Sequence, residues 1–139
     1  MVRINLINPE NLADQHLIAE YNEILMLLSY IKKTKTIDVP REYCLGKGHM
    51  KFFKDKVLYL KNRHELIKKE METRGFQVNK KIVLEEFNKQ KLKNWFPKEK
   101  DKIIIKKRII EKIKQKPEYY RYYKKRMPLD FFIGLVNKG

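Results

Sequence analysis

Apolar positions recur at helical spacing in three stretches of the chain. After Asp14, the residues Leu17, Tyr21, Ile24 and Leu28 fall in one stripe at about 100° per residue, which predicts a helix with its core side there. Asp14 is the expected N-cap, with Asn11 as the alternative. His16, Glu20 and Glu23 form a second line beside that stripe, within roughly 60° of one another. Asn22 and Met26 lie on the far side of the carboxylates. Further on, Phe53, Val57, Leu60, His64, Ile67 and Met71 recur at alternating helical steps over about 18 residues, with Lys54, Lys56, Lys61, Lys68 and Lys69 off the stripe. Arg74-Gly75 is the stop signal. A third helix is predicted from Asp101 to Lys116, with Ile105, Ile109 and Ile113 inward and Pro117 as its end.

The connections are less regular. Residues 31–48 read as loop, since Lys32 to Thr36 break the period and Val39-Pro40 ends any regular element. Gly46-Lys47-Gly48 follows no strand, so it is read as a plain turn rather than a phosphate cradle. Residues 76–88 suggest a short amphipathic piece carrying Val78, Ile82, Val83 and Phe87, and residues 89–102 a basic connector around Trp95-Phe96-Pro97. The tail from Leu129 to Val136 is apolar enough to dock on the body or on a partner. No stretch reads as a strand. The expectation is an all-α fold, one domain over residues 1–139, with about three main helices and long connecting loops.

Charge changes this picture most. The 139 residues carry 33 Lys+Arg against 17 Asp+Glu, a net +16, which favours polyanionic partners. Residues 98–126 hold 13 Lys/Arg against 4 Asp/Glu, whereas residues 1–30 set Arg3 against Glu10, Asp14, Glu20 and Glu23. A basic chain that keeps acidic side chains on its first helix marks a candidate site there. Four tyrosines interleave with cations in Tyr119-Tyr120-Arg121-Tyr122-Tyr123-Lys124-Lys125-Arg126, a pattern suited to nucleic acid. Arg108 and Lys112, four apart, share a cationic line.

Other chemistries are disfavoured. Cys44 is the only cysteine, so an intramolecular disulfide is excluded and a packing role is expected. His64 lies in an apolar stripe as a core histidine, and His49 precedes a helix as a cap or loop residue. Their spacing gives no metal motif, so neither metal nor other cofactor is expected. No apolar run approaches the roughly 18–20 residues that span a bilayer, and no signal peptide opens the chain. An intracellular, cytoplasmic, non-secreted protein without membrane contact is expected, and a monomer.

Three separated motifs carry a resemblance. The opening Arg3-Ile4-Asn5-Leu6 with Leu12-Ala13-Asp14-Gln15-His16-Leu17 and Ala19-Glu20-Tyr21-x-Glu23 is one. Leu45-Gly46-x-Gly48-His49, Phe52-Phe53-x-Asp55-Lys56 and Arg74-Gly75-Phe76 form the second. Arg108-x-x-Glu111-Lys112-Ile113 and Pro117-x-x-Tyr120-x-Tyr122-Tyr123 form the third. Together they resemble the phage-type pyrimidine-dimer DNA glycosylases. The resemblance implies a small, mostly helical, cofactor-free enzyme acting on double-stranded DNA with ultraviolet damage or abasic sites. It implies removal of the 5′ base of a cyclobutane pyrimidine dimer, then strand cleavage through a Schiff base on the α-amine of Val2, exposed once Met1 is removed. Glu23 would then be the catalytic carboxylate. Arg3, Gln15, His16, Glu20, Tyr21, Asn22, Arg108, Lys112 and Tyr119, Tyr120, Arg121, Tyr122 and Tyr123 would be substrate or DNA contacts. Val2 replaces the family's threonine, and Asn22 and Met26 stand where phage-type members carry arginines, which leaves a lyase with another lesion preference as an alternative. Composition alone also suits a non-catalytic basic helical module that binds nucleic acid. The pairing of Glu23 with Val2 and Arg3 is what separates the enzyme from that module.

Overall fold

The long stripe after Asp14 becomes α1 (Asp14–Lys33), whose Leu17, Tyr21, Ile24, Leu28 and Ile31 are buried. In this computed structural model, which describes residues 2–35 and 38–139, α1 packs against α3 (Val57–Thr73), the continuation of the second stripe. The third stripe forms α4 (Glu99–Gln115), with Ile105, Ile109 and Ile113 buried as expected. About 60% of the chain is helical, and the all-α reading holds. The loop expected over residues 31–48 includes Thr36 and Ile37, which lie outside the described residues.

Several details correct the sequence reading. The second helix does not run unbroken from Phe53: a short α2 (Gly48–Phe52) precedes a turn at residues 53–56, and α3 starts at Val57. Lys54, placed on a polar face by spacing, lies in that turn and is buried. The helix does stop at Arg74-Gly75. Gly75 takes the left-handed φ of 87°, and the Phe76 N–H closes the end on the Met71 carbonyl at 2.8 Å. Residues 76–88, expected as a short amphipathic piece, are mostly irregular. They contain one 3-10 turn (Leu84–Glu86), with Ile82 and Phe87 buried and Val83 exposed. In the basic connector Lys91 is buried, and its ammonium caps the end of α1 through the carbonyls of Ile31 at 2.6 Å and Thr34 at 2.8 Å.

The expectation of no strand also fails, in a small way. β1 (Arg121–Tyr122) and β2 (Lys125–Arg126) pair antiparallel within the aromatic segment. Their two-residue turn places Tyr123 and Lys124 at φ 50° and 67° without a glycine. The apolar tail forms α5 (Leu129–Lys138), which buries Phe132, Leu135 and Val136 against α4 and the chain start. It docks on the body.

Asp14 is not the N-cap. Ala13 holds that position, and Asp14 opens the helix with its carboxylate buried. There it accepts from the Arg74 guanidinium at 2.9 Å and from the N–H groups of Tyr123 at 3.1 Å and Lys124 at 2.7 Å. The C-terminal hairpin is thus held to the start of α1. This bond pair stabilises a turn that non-glycine residues adopt only at a cost of roughly 1 kcal/mol each.

Candidate active site

Residues 2–5 cross α1 before the chain turns at Leu6, whose φ of 60° is enforced by a tight bond from the Ile7 N–H to the Asn5 carbonyl at 2.6 Å. The crossing is fixed by side chains from distant elements. The Ile4 N–H donates to His49 Nε2 at 2.9 Å, and the Tyr43 hydroxyl donates to the Ile4 carbonyl at 3.1 Å. His49 Nδ1–H in turn donates to the Cys44 carbonyl at 2.9 Å, which sets the neutral tautomer that leaves Nε2 free to accept. So His49 is neither a cap nor a loop residue, since it is fully buried and locks the N-terminal segment. Cys44 is half-buried. A Cβ on Gly48 would lie 2.6 Å from Cys44 Sγ, so close approach requires that glycine, not phosphate binding.

With residue 4 locked, Arg3 lies over the second line of α1. Its backbone N–H donates to Glu23 Oε1 at 2.6 Å. The nitrogen of Val2 is one peptide unit back, within about 4 Å of that N–H by chain geometry, and the Val2 side chain is buried. Beneath, Glu20 accepts from Asn5 Nδ2 at 2.9 Å and from Arg63 Nε at 2.8 Å and Nη2 at 3.1 Å. A buried carboxylate so paired is a fixed floor for the site.

Above this floor opens a cavity of about 250 Å³ lined by Arg3, Asn5, His16, Ala19, Glu20, Glu23, Arg108, Ile109, Lys112 and Tyr120. Arg108 and Lys112 project from α4, and Tyr120 from the segment after it. Burial raises the Glu23 pKa above the ordinary glutamate value, opposed by the Arg3 N–H bond and reinforced by Glu20. His16 stacks on Tyr120 at 4.9 Å, and burial beside Arg108 and Lys112 pushes its pKa down to about 4. It is therefore neutral at pH 7. Burial likewise pushes His49 down to about 4.

The unfolded chain protonates both histidines near pH 6.5 and the folded one near 4, so stability falls as the pH drops from about 6.5 toward 4. Urea unfolding at pH 7 and pH 5 is expected to show this loss. A shallower pH dependence for His49→Gln would attribute part of it to the N-terminal lock.

The sequence-derived site residues are thus partly assembled. Val2, Arg3, His16, Glu20, Glu23, Arg108, Lys112 and Tyr120 gather at or beside this cavity. Gln15 lies beside it and accepts from the Arg121 N–H at 2.8 Å, fixing the start of β1. Asn22 and Met26 are exposed on α1 and do not line it. Tyr21 is in the core, stacked on His64 at 4.7 Å, its hydroxyl accepting from the Asn79 and Lys80 N–H groups. His64 is the expected core histidine, donating to the Tyr21 carbonyl at 3.1 Å. Tyr119 is exposed, while Tyr122 and Tyr123 lie over Arg74 at 4.6 and 4.9 Å and line a separate cavity. Asn5, Tyr43, His49 and Arg63 were missed as site supports, although Asn5 and His49 stand inside the resembling motifs.

Among the described residues, no group of three or more His, Cys, Asp or Glu side chains could hold a metal ion. No helix among them is long and apolar enough to cross a membrane.

A family model described as pyrimidine dimer DNA glycosylase matches residues 1–84, more than half of the chain. The chain belongs to the pyrimidine dimer DNA glycosylase family. Membership makes damaged DNA the substrate class and DNA repair the general role. The matched stretch holds the N-terminal crossing, all of α1 with Glu20 and Glu23, the His49 lock and Arg63. Arg108 and Lys112 of α4, beyond the matched stretch, give that cavity a basic wall.

Proposed function

We propose that this chain removes the 5′ base of a cyclobutane pyrimidine dimer in double-stranded DNA and then cleaves the strand at the abasic site. Removal of Met1, which lies outside the described residues, would expose the α-amine of Val2 as the nucleophile. The supporting observation is the 2.6 Å bond from the Arg3 N–H to Glu23, which keeps the neighbouring nitrogen beside a carboxylate.

An α-amine has a reference pKa of about 7.7–8.0 against about 10.4 for lysine, so far more of it is a free base at neutral pH. The surrounding cations favour the neutral amine, and the neighbouring Glu23 carboxylate opposes them. Its lone pair attacks the sugar C1′ and the base departs with the glycosidic electrons. The amine loses a proton, and opening of the sugar ring gives the iminium. Glu23, made more basic by burial, takes a proton from C2′, and the electrons expel the 3′ phosphate by β-elimination. Water then releases the sugar fragment. The covalent work is done by the chain's own amine, and the reading requires no cofactor. We assign residues 1–139 to one catalytic domain acting as a monomer.

Arg108 and Lys112 supply phosphate contacts in this reading. Arg108→Ala is expected to weaken binding and make the log affinity against log salt slope shallower by about one. Unchanged affinity at low salt would remove Arg108 from the DNA contacts.

The exposed, uncharged Asn22 and Met26 favour one variant of the reading, in which the lyase chemistry is kept and the lesion range differs. Borohydride trapping on abasic-site DNA, with the cross-linked peptide located by mass spectrometry, tests the mechanism. An adduct on the Val2 amine supports it. The absence of any adduct from chain lacking Met1 would favour a non-catalytic DNA-binding module.

A further inference from the structure

Phe96 is the most exposed large apolar side chain among the described residues, at 79%, yet the loop that carries it is anchored. Its neighbour Trp95 lies 4.9 Å from Phe52 and stacks on Tyr43 at 6.0 Å, and Pro97 stiffens the next peptide. An exposed apolar surface rimmed by polar groups is the kind that meets a partner. Beside it is a groove of about 440 Å³ with Arg41, Tyr43, Lys98 and Lys100 among its walls, the last paired with Glu42.

We propose that this groove is a second DNA contact, which holds the duplex flanking the lesion through its phosphates and sugars. The proposal rests on the reading above that the Glu23 cavity takes the damaged nucleotide.

Two observations connect the groove to that cavity. Tyr43 walls the groove while its hydroxyl donates to the Ile4 carbonyl beside Arg3. Along α4, Asp101 in the groove and Ile104, Arg108 and Lys112 follow helical three- and four-residue steps, so they share one side of the helix. From Asp101 to Arg108 is about 10 Å of helix, close to three base-pair steps of duplex. The partly exposed Ile104 lies between them. A strand whose damaged nucleotide occupies the cavity and whose backbone follows α4 would reach the groove about three to five base pairs away. Arg41 and Lys98 would meet phosphates there, and Phe96 and Ile104 would lie against deoxyribose. Such contacts are sequence-independent, as suits an enzyme that must find lesions in any context.

The test compares the wild type with Phe96→Ala and the double variant Arg41→Gln/Lys98→Gln. Their affinity is measured on duplexes bearing a non-cleavable abasic analogue. One duplex is long. Two others are cut to about three base pairs beyond the analogue on one side or the other. On the long duplex the charge variant should bind about tenfold more weakly, with a salt slope shallower by about two. Phe96→Ala should also weaken binding, and trapping at saturating DNA should stay at the wild-type rate. On the duplex cut on the groove side, the wild type should fall to the affinity of the variants. The exposed pair Lys80→Gln/Lys81→Gln, with the same charge change off this side of α4, should have less effect. Wild-type affinity for both groove variants on the long duplex would overturn the proposal. So would an equal loss on every duplex, or an equal loss in the Lys80/Lys81 control. If the wild type forms no trapped adduct while the length dependence persists, the catalytic reading fails and the groove stands.

Discussion

Glu23→Gln is expected to abolish strand cleavage while leaving DNA binding nearly intact. The substitution keeps an oxygen where Oε1 accepts the Arg3 N–H, so the N-terminal crossing should hold its geometry. What disappears is the basic carboxylate. A positioned general base contributes typically 10²–10⁴-fold, and a loss of that size is the expected result in single-turnover cleavage of abasic-site DNA. The wild-type rate should fall in acid as Glu23 is protonated. Because burial raises its pKa, that limb should sit above the ordinary glutamate range. Cleavage at the wild-type rate by Glu23→Gln would remove this side chain from the mechanism.

Arg74→Met is expected to produce the largest loss of stability. The Arg74 side chain is fully buried and donates to Glu70 Oε2 at 2.8 Å, Asp14 Oδ1 at 2.9 Å, the Leu12 carbonyl at 2.8 Å and the Pro9 carbonyl at 3.1 Å. Its upper face is covered by Tyr122 and Tyr123. Methionine fills similar volume but leaves two carboxylates without their cation. Removing one partner of a buried ion pair costs about 3–5 kcal/mol. At this chain length that corresponds to a melting temperature lower by roughly 10–15 °C. A thermal melt followed by circular dichroism measures it, and a shift of only a degree or two would show that the two acids find other partners.

Much of the helical frame was legible in the sequence because helix periodicity is a local signal. The stripes of α1 and α4 gave their buried faces, and the line of His16, Glu20 and Glu23 gave the side of α1 that meets the cavity. The rest depends on polar partners far apart in the chain. Glu20 appears in sequence as an acid at the edge of a stripe, and only folding brings Arg63 onto it. His49 looks like a residue before a helix, and only the arrival of Ile4 makes it a buried acceptor. Asp14 has the composition of an N-cap, but donors from Arg74 and the hairpin take its oxygens, and Ala13 holds the N-cap position without a side-chain bond. The break between α2 and α3 was hidden because Phe53, within the turn, is buried like Phe52 before it and Val57 after it, so the apolar spacing runs on through the break. The hairpin was hidden for the opposite reason: its turn lacks the glycine or asparagine that announces one, since Asp14 does their work from outside.

That last arrangement bears on how the protein is made. The Asp14 carboxylate receives N–H groups 109 and 110 residues later in the chain, and Tyr120, a wall of the cavity, lies just before them. A nascent chain therefore has its candidate nucleophile and carboxylate early but lacks this wall and its anchor until about a hundred further residues have been made. Contacts of such long sequence separation form slowly, because the loop they close must first be ordered. Chains that stop short of the hairpin should therefore carry an open, unfinished cavity, and DNA competence should wait for this long-range contact.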